Sequence, residues 1–188
     1  LPMQYIIPAQ SLAFVIHAAG KKDVRYYLNG VYVHGYLCTA TNGHFMLRRR
    51  DDTQVAPEPL LLPREAVEWA VKRTKGGGSV YVARGEGRSL TVTVGVESLK
   101  CEEIDGKYPD VDAIIPVQDA PLELAGFNGE YLTALAKAAK AAGDRYACLR
   151  IESVGAFAAR VDFPNLPGCG GVIMPIRDTF GGRPVVPR

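Results

Sequence analysis

The sequence is poor in the groups that most catalytic and metal sites need. Among its 188 residues are three histidines, His17, His34 and His44, and none stands at metal-ligand spacing with another or with a cysteine. The four cysteines, Cys38, Cys101, Cys148 and Cys169, form no Cys-x-x-Cys pair, so a zinc knuckle or redox motif has no basis here. Most sit in strand-like runs, where a free thiol behaves as a small apolar side chain. Lys75-Gly76-Gly77-Gly78-Ser79 lacks the order of a phosphate-binding loop, and it closes a helical pattern instead of opening one. No serine lies in a nucleophile elbow. The expectation is a non-enzyme with no metal and no cofactor.

Charge of one sign is also missing. The net charge is +2, with 22% charged and 47% apolar residues, an ordinary globular balance. Any contact with nucleic acid must come from local clustering, because no polybasic tail exists. The triplet Arg48-Arg49-Arg50 runs directly into Asp51-Asp52, so it reads as a solvated hairpin edge in preference to a DNA patch. No apolar run approaches the ~20 residues that span a bilayer, and Leu1-Pro2-Met3-Gln4 does not read as a signal peptide. No membrane partner and a cytoplasmic setting are expected.

What the sequence does contain is one pattern three times over. Gln4 to Pro8 reads as a strand and Ala9 to Ala19 as a helix with Leu12, Val15, Ile16 and Ala19 inward. Alternation predicts strands over Asp23 to Leu28, Tyr36 to Ala40 and outward through Phe45 and Leu47, with turns at Asn29-Gly30 and at a type I′ pair, Asn42-Gly43. After the proline-rich linker 56–59 the pattern returns. Leu60 to Leu62 is a strand, Pro63 suits a first helical turn, and Ala66, Val67, Ala70 and Val71 form the apolar stripe. Strands follow over Val80 to Arg84, Ser89 to Val94 and Ser98 to Ile104. The third copy has a strand over Leu122 to Phe127 and Asn128 as helix N-cap. Leu132, Leu135, Ala136 and Ala139 face inward, and Gly143 stops the helix. Strands are expected over Arg145 to Glu152, Ala156 to Phe163 and Gly171 to Ile176. Such repeats stack because each alone leaves an apolar face exposed. The odd third unit is therefore expected to pair with another chain, giving a homo-oligomer.

Several stretches carry a resemblance to a known family. Asp23-Val24-Arg25-Tyr26-Tyr27-Leu28-Asn29-Gly30, Ala40-Thr41-Asn42-Gly43-His44, Ile104 to Asp110, Phe127-Asn128 with Tyr131-Leu132, and Met174-Pro175-Ile176-Arg177 occur in order. They resemble motifs of the bacterial DNA polymerase III β subunits, the sliding clamps. The resemblance implies an α+β, DNA-clamp-like fold: three strand-helix-three-strand units with helices on one side and antiparallel sheets on the other. It assigns residues 1–118 to a clamp-like domain of two units that resembles the family's middle domain. Residues 119–177 would be a third unit, resembling the second half of the last domain, and 178–188 a C-terminal extension. The family's first domain and the first half of its last have no counterpart here.

The family also implies sites. Linear peptide motifs of DNA polymerase and other replication proteins bind it in an apolar cleft. Carried over, that cleft takes Leu28, Thr41, Gly43, His44, Pro116, Asn128, Tyr131, Met174, Pro175 and Arg177, with Phe45, Met46 and Ile176 at pocket positions. Met is adaptable and Tyr131 offers a rigid wall with a polar tip. The plainer alternative makes Leu28 and Met174 core residues and His44 a hairpin cap. Phe45 and Asn42 stand where the family has Arg and Asp, which changes the charge expected at the rim. For double-stranded DNA the resemblance implies Tyr26 and Tyr27, with Lys22, Lys72, Arg73, Lys137 and Lys140 on or after the helices. Cations at helix C-termini also answer the macrodipole alone. The functional expectation is a clamp-like replication protein that holds partner peptides and DNA. The alternative is a non-ring interaction module, or decoy, that competes for clamp partners.

Overall fold

In the computed structural model the described residues are 4–75, 77–115, 125–153 and 158–176. Strands β1 (Gln4–Pro8), β2 (Gly30–His34), β3 (Leu37–Thr41) and β4 (Phe45–Arg50) surround helix α1 (Ala9–Val15), which tightens into a 3-10 turn over Ile16–Ala18. Strand β5 (Leu60–Pro63) and helix α2 (Arg64–Thr74) lead to β6 (Ser79–Arg84), β7 (Ser89–Val94) and β8 (Glu97–Glu102). Helix α3 (Gly129–Ala141) precedes β9 (Arg150–Ser153), β10 (Ala159–Asp162) and β11 (Cys169–Ile173). This is the expected α+β pattern of helices backed by antiparallel sheets.

The first two units exchange their leading strands. β1 pairs with β6, and β5 pairs with β2, both antiparallel. One sheet therefore runs β1-β6-β7-β8 and the other β5-β2-β3-β4-β11-β10-β9. The third unit does have an in-chain neighbour, contrary to the sequence expectation, because β11 pairs with β4. Gly171 permits that junction. A Cβ there would lie 2.6 Å from the Met46 carbonyl oxygen and 3.3 Å from a Leu47 methyl.

Between helices and sheets lies one large apolar core. Phe14 meets Phe163 edge-on at 4.9 Å, joining the first unit to the third. Leu12, Val67, Leu135, Ala138 and Ala139 contribute from the three helices. Arg64 fastens α2 to the end of the first helix: its guanidinium donates to the Ala19 carbonyl at 2.8 Å and pairs with Glu68. A second, smaller cluster lies on the opposite face of the long sheet. It holds Leu28, Met46, Leu61, Tyr108, Val111, Ala158 and Val172.

Several elements differ from their sequence expectation, each for a local reason. Asp23 to Leu28 is not a strand. Asn29 clasps the loop by accepting from Asp23 N and donating to Asp23 O, both at 2.9 Å, and Tyr26–Leu28 is a 3-10 turn. Short polar side chains that bond locally compete with a sheet ladder in this way. Asn29-Gly30 is likewise no turn, since Gly30 opens β2. Its glycine is required by packing, because a Cβ would meet the Leu62 carbonyl and sit 2.6 Å from Ile104 Cδ1. Pro63 ends β5, and the helix starts one residue later. That helix stops on Lys75, itself left-handed at φ 48°, before the glycine run. Strand β8 lies over 97–102 instead of 98–104. The predicted Arg145 to Glu152 strand shrinks to β9, because the Asp144 carboxylate accepts from Tyr146 N and Cys148 N, each at 2.9 Å, and curls the loop. Cys148 is thus exposed, while Cys169 opens β11. Of the predicted Leu122 to Phe127 strand, Gly126 forms a bridge with Ile176, and 122–124 lie outside the described residues.

Candidate functional site

The hairpin between β3 and β4 organises the site. Thr41 Oγ1 donates to the Phe45 carbonyl at 2.8 Å and accepts from Gly43 N at 3.0 Å. The Asn42 side chain accepts from His44 N at 2.9 Å and Phe45 N at 3.2 Å. Only Gly43 of the Asn42-Gly43 pair takes a positive φ, 85°, so the turn is an Asx-type loop and not the type I′ expected. Arg25, held by Asp23 at 2.8 Å, donates to the Asn42 carbonyl at 3.0 Å. It ties the Asp23–Leu28 loop to the hairpin tip, a role the sequence pattern did not reveal because the partner is a backbone oxygen.

Around this tip the structure gathers residues distant in sequence. The Tyr131 ring stacks on His44 at 5.6 Å and leans on Phe45 at 5.2 Å. Met174 N donates to the His44 carbonyl at 2.9 Å, and Ile176 N donates to the Gly126 carbonyl at 2.9 Å. Asn128 caps α3 by accepting from Glu130 N at 2.8 Å. The predicted residues do not share one exposure. Leu28 and Met46 are only 2% exposed and Phe45 and Thr41 are buried too, so they are floor and support, not open wall. Gly43 and His44 are exposed, Pro175 is half-buried, and Met174 and Ile176 expose 38% and 52%. Pro116 and Arg177 lie outside the described residues.

Val172, which the sequence reading omitted, belongs with Leu28 and Met46 in the smaller cluster. Its signal was available, as the residue two before Met174 on the same edge. Tyr108 from the Ile104 to Asp110 stretch stacks flat on Tyr32 at 5.0 Å and covers that cluster. Burial drives its hydroxyl pKa upward. Beyond Met46 and Val172 a cavity of about 500 Å³ opens over the long sheet, walled by Ile115, Arg48, Arg160 and Glu152. Arg48 pairs with Asp112, and Arg160 with Glu152, so its walls are charged but balanced.

The residues expected to meet DNA divide between two places. Tyr26 is 58% exposed, while Tyr27 is half-buried against the smaller cluster, on the sheet face away from the helices. Lys22 is exposed just before them. Lys72, Lys137 and Lys140 are exposed on the helices. Arg73 is occupied, pairing with Glu97 at 2.8 Å and lying 4.2 Å over the Trp69 ring. His17 sits among cations: burial first, then the charges of Arg64 and Lys137, hold its pKa below the ordinary imidazole value. Among the described residues no group of three or more His, Cys, Asp or Glu converges as a metal site. No described helix is long and apolar enough to cross a membrane.

No protein-family model matches the chain. The beta sliding clamp of Pseudomonas aeruginosa is 27% identical over 143 residues, which is 72% of this chain and 38% of that protein. That of Caulobacter vibrioides is 25% identical over 116 residues, 56% of this chain and 31% of the relative. The chain resembles the bacterial sliding clamps. Its fold is theirs as well. The DNA polymerase III subunit beta of Borrelia burgdorferi, solved with a natural product, superposes with a TM-score of 0.75 at 16% identity, over 93% of this chain and 63% of that one. The sliding clamp of Bartonella birtlesii bound to griselimycin gives 0.75 at 17%, over 93% and 66%. This clamp-like chain therefore spans well under half the length of the curated clamps it matches, and about two thirds of the solved ones.

Proposed function

We propose that this clamp-like chain is a replication protein that holds short apolar peptides of a DNA polymerase or another replication factor. The observation that carries the reading is the meeting of three distant segments at one rim: His44, Tyr131 and Met174, joined by a ring stack and one backbone bond. The rim offers exposed methionine and isoleucine beside a tyrosine, which suits two or three apolar anchors. Buried Leu28, Met46 and Val172 give it a firm floor. That a related clamp is known bound to griselimycin supports a ligand-binding role of this kind.

The test is fluorescence anisotropy with a labelled apolar clamp-binding peptide, with griselimycin as competitor. Tyr131→Ala should weaken binding at least about ten-fold, the usual effect of truncating an interface anchor. No binding by the folded parent chain removes the peptide reading. A second reading, contact with double-stranded DNA along the helices, is favoured by Lys72, Lys137 and Lys140, which are exposed on α2 and α3.

A further inference from the structure

The three units share a plan that hydrogen bonds make explicit. Three residues before each helix begins, the leading strand meets the segment that follows its own unit's last strand. Val55 N donates to Ile6 O at 2.9 Å, Ile104 N to Leu61 O at 3.1 Å, and Ile176 N to Gly126 O at 2.9 Å. Residues 6, 61 and 126 are therefore equivalent. In the first two units the other edge of this strand is exchanged: Ile6 lies opposite Tyr81 and Leu61 opposite Tyr32. Among the described residues the third unit uses neither half of such an exchange. Among the described residues, β9 pairs only with β10, and Gly126 only with Ile176.

Burial records the difference. Val31, Val33, Val80 and Val82, beneath the exchanged strands, are essentially fully buried. Ile151 in β9 and Leu149 just before it occupy the same positions of the third unit and are only half-buried. On the helices, Leu12 and Val67 are buried and the equivalent Leu132 is half-buried. Half-buried aliphatic residues along an open edge strand are a template for pairing.

We propose that a second copy of this chain fills the place. Residues 125–128 of each copy lie antiparallel along 148–151 of the other, about a two-fold axis, as β1 lies along β6. The register carried over from β1 and β6 sets Phe127 opposite the partner's Leu149 and Asn128 opposite the partner's Cys148. A second copy fits better than a foreign strand because the contact is self-complementary. One two-fold operation uses the donor and acceptor edges of both chains, whereas a single strand would fill one edge and leave the rest. The inference stands on the repeat and is independent of what the rim binds.

Sedimentation equilibrium at micromolar concentration should give twice the chain mass. Leu149→Asp should raise the dimer dissociation constant at least about ten-fold with the circular dichroism spectrum unchanged. Asn128→Cys should form a disulfide with Cys148 of the second copy under mild oxidation, seen as a covalent dimer on a non-reducing gel. It should vanish in Asn128→Cys with Cys148→Ser, and in Thr133→Cys. The crosslink decides the matter even if Leu149→Asp fails to fold. A parent of single-chain mass, an assembly larger than two, or no crosslink overturns the proposal.

Discussion

Adjacent glycines in β11 separate steric necessity from mere composition. Gly171→Ala would put a Cβ 2.6 Å from the Met46 carbonyl oxygen, a backbone atom that cannot swing aside. Strand β11 would have to move off β4 by roughly half an ångström, and overpacking of this kind costs about 1–3 kcal/mol. Gly170→Ala meets nothing closer than the Val161 carbonyl at 3.9 Å. It should be neutral or slightly stabilising, since a strand glycine costs about 0.5–1 kcal/mol relative to alanine. With a urea slope of about 2 kcal/mol per molar, Gly171→Ala should lower the unfolding midpoint by about 1 M while Gly170→Ala leaves it in place. The displaced strand should also loosen the bond from Met174 N to the His44 carbonyl, three residues on, so peptide affinity should fall only in Gly171→Ala. Equal midpoints for the two variants would refute the close-approach argument.

Two other perturbations probe the helical face. His17 has a depressed pKa, so the unfolded chain takes up its proton first as pH falls past the ordinary value near 6.5. Stability should therefore decline between about pH 7 and the lower folded pKa, and His17→Gln should flatten that limb in urea midpoints taken at pH 7.5 and 5.5. If DNA lies along the helices, reversing Lys137 and Lys140 to Glu should weaken duplex binding and reduce its salt slope by about 2, while unchanged binding excludes this surface.

Element order was legible in the sequence because it rests on local chemistry. Asn128 announced its helix by its own side-chain oxygen, and the stripe of Leu135 and Ala139 followed from helical periodicity. The Asp23–Leu28 loop misled because Val24, Tyr26 and Leu28 alternate as a strand would. Yet Val24 and Tyr26 are exposed, and the polar grip of Asn29 decides the backbone. The same limit explains the glycines. Gly30 reads as a turn from its dipeptide, whereas its reason lies across the sheet in Leu62 and Ile104. At the rim the chemistry of His44 and Tyr131 was readable from the family motifs. Their stacking was not, because it depends on β11 joining β4.

That junction carries more than the rim. Because β4 pairs with β11, the first and third units share one continuous sheet, and Phe14 against Phe163 shares one core beneath it. The hairpin tip on β4 and the segment leaving β11 are consequently fixed at neighbouring ends of paired strands, so no domain closure is needed to bring Met174 to His44. A rim preformed in this way would lose little conformational freedom on taking up the proposed peptide. The third unit thus faces two ways: toward β4 its strands complete the rim, and toward β9 they remain half a domain. Occupying that second edge with another copy would leave the bond from Met174 N to the His44 carbonyl untouched, since β9 and β11 lie on opposite sides of β10, while residues 125–128 would gain a strand on the edge away from Ile176. Peptide binding and dimerisation should then be additive. A peptide affinity that changes when Leu149→Asp separates the copies would show instead that the two edges are coupled, through β10 or through residues 125–128.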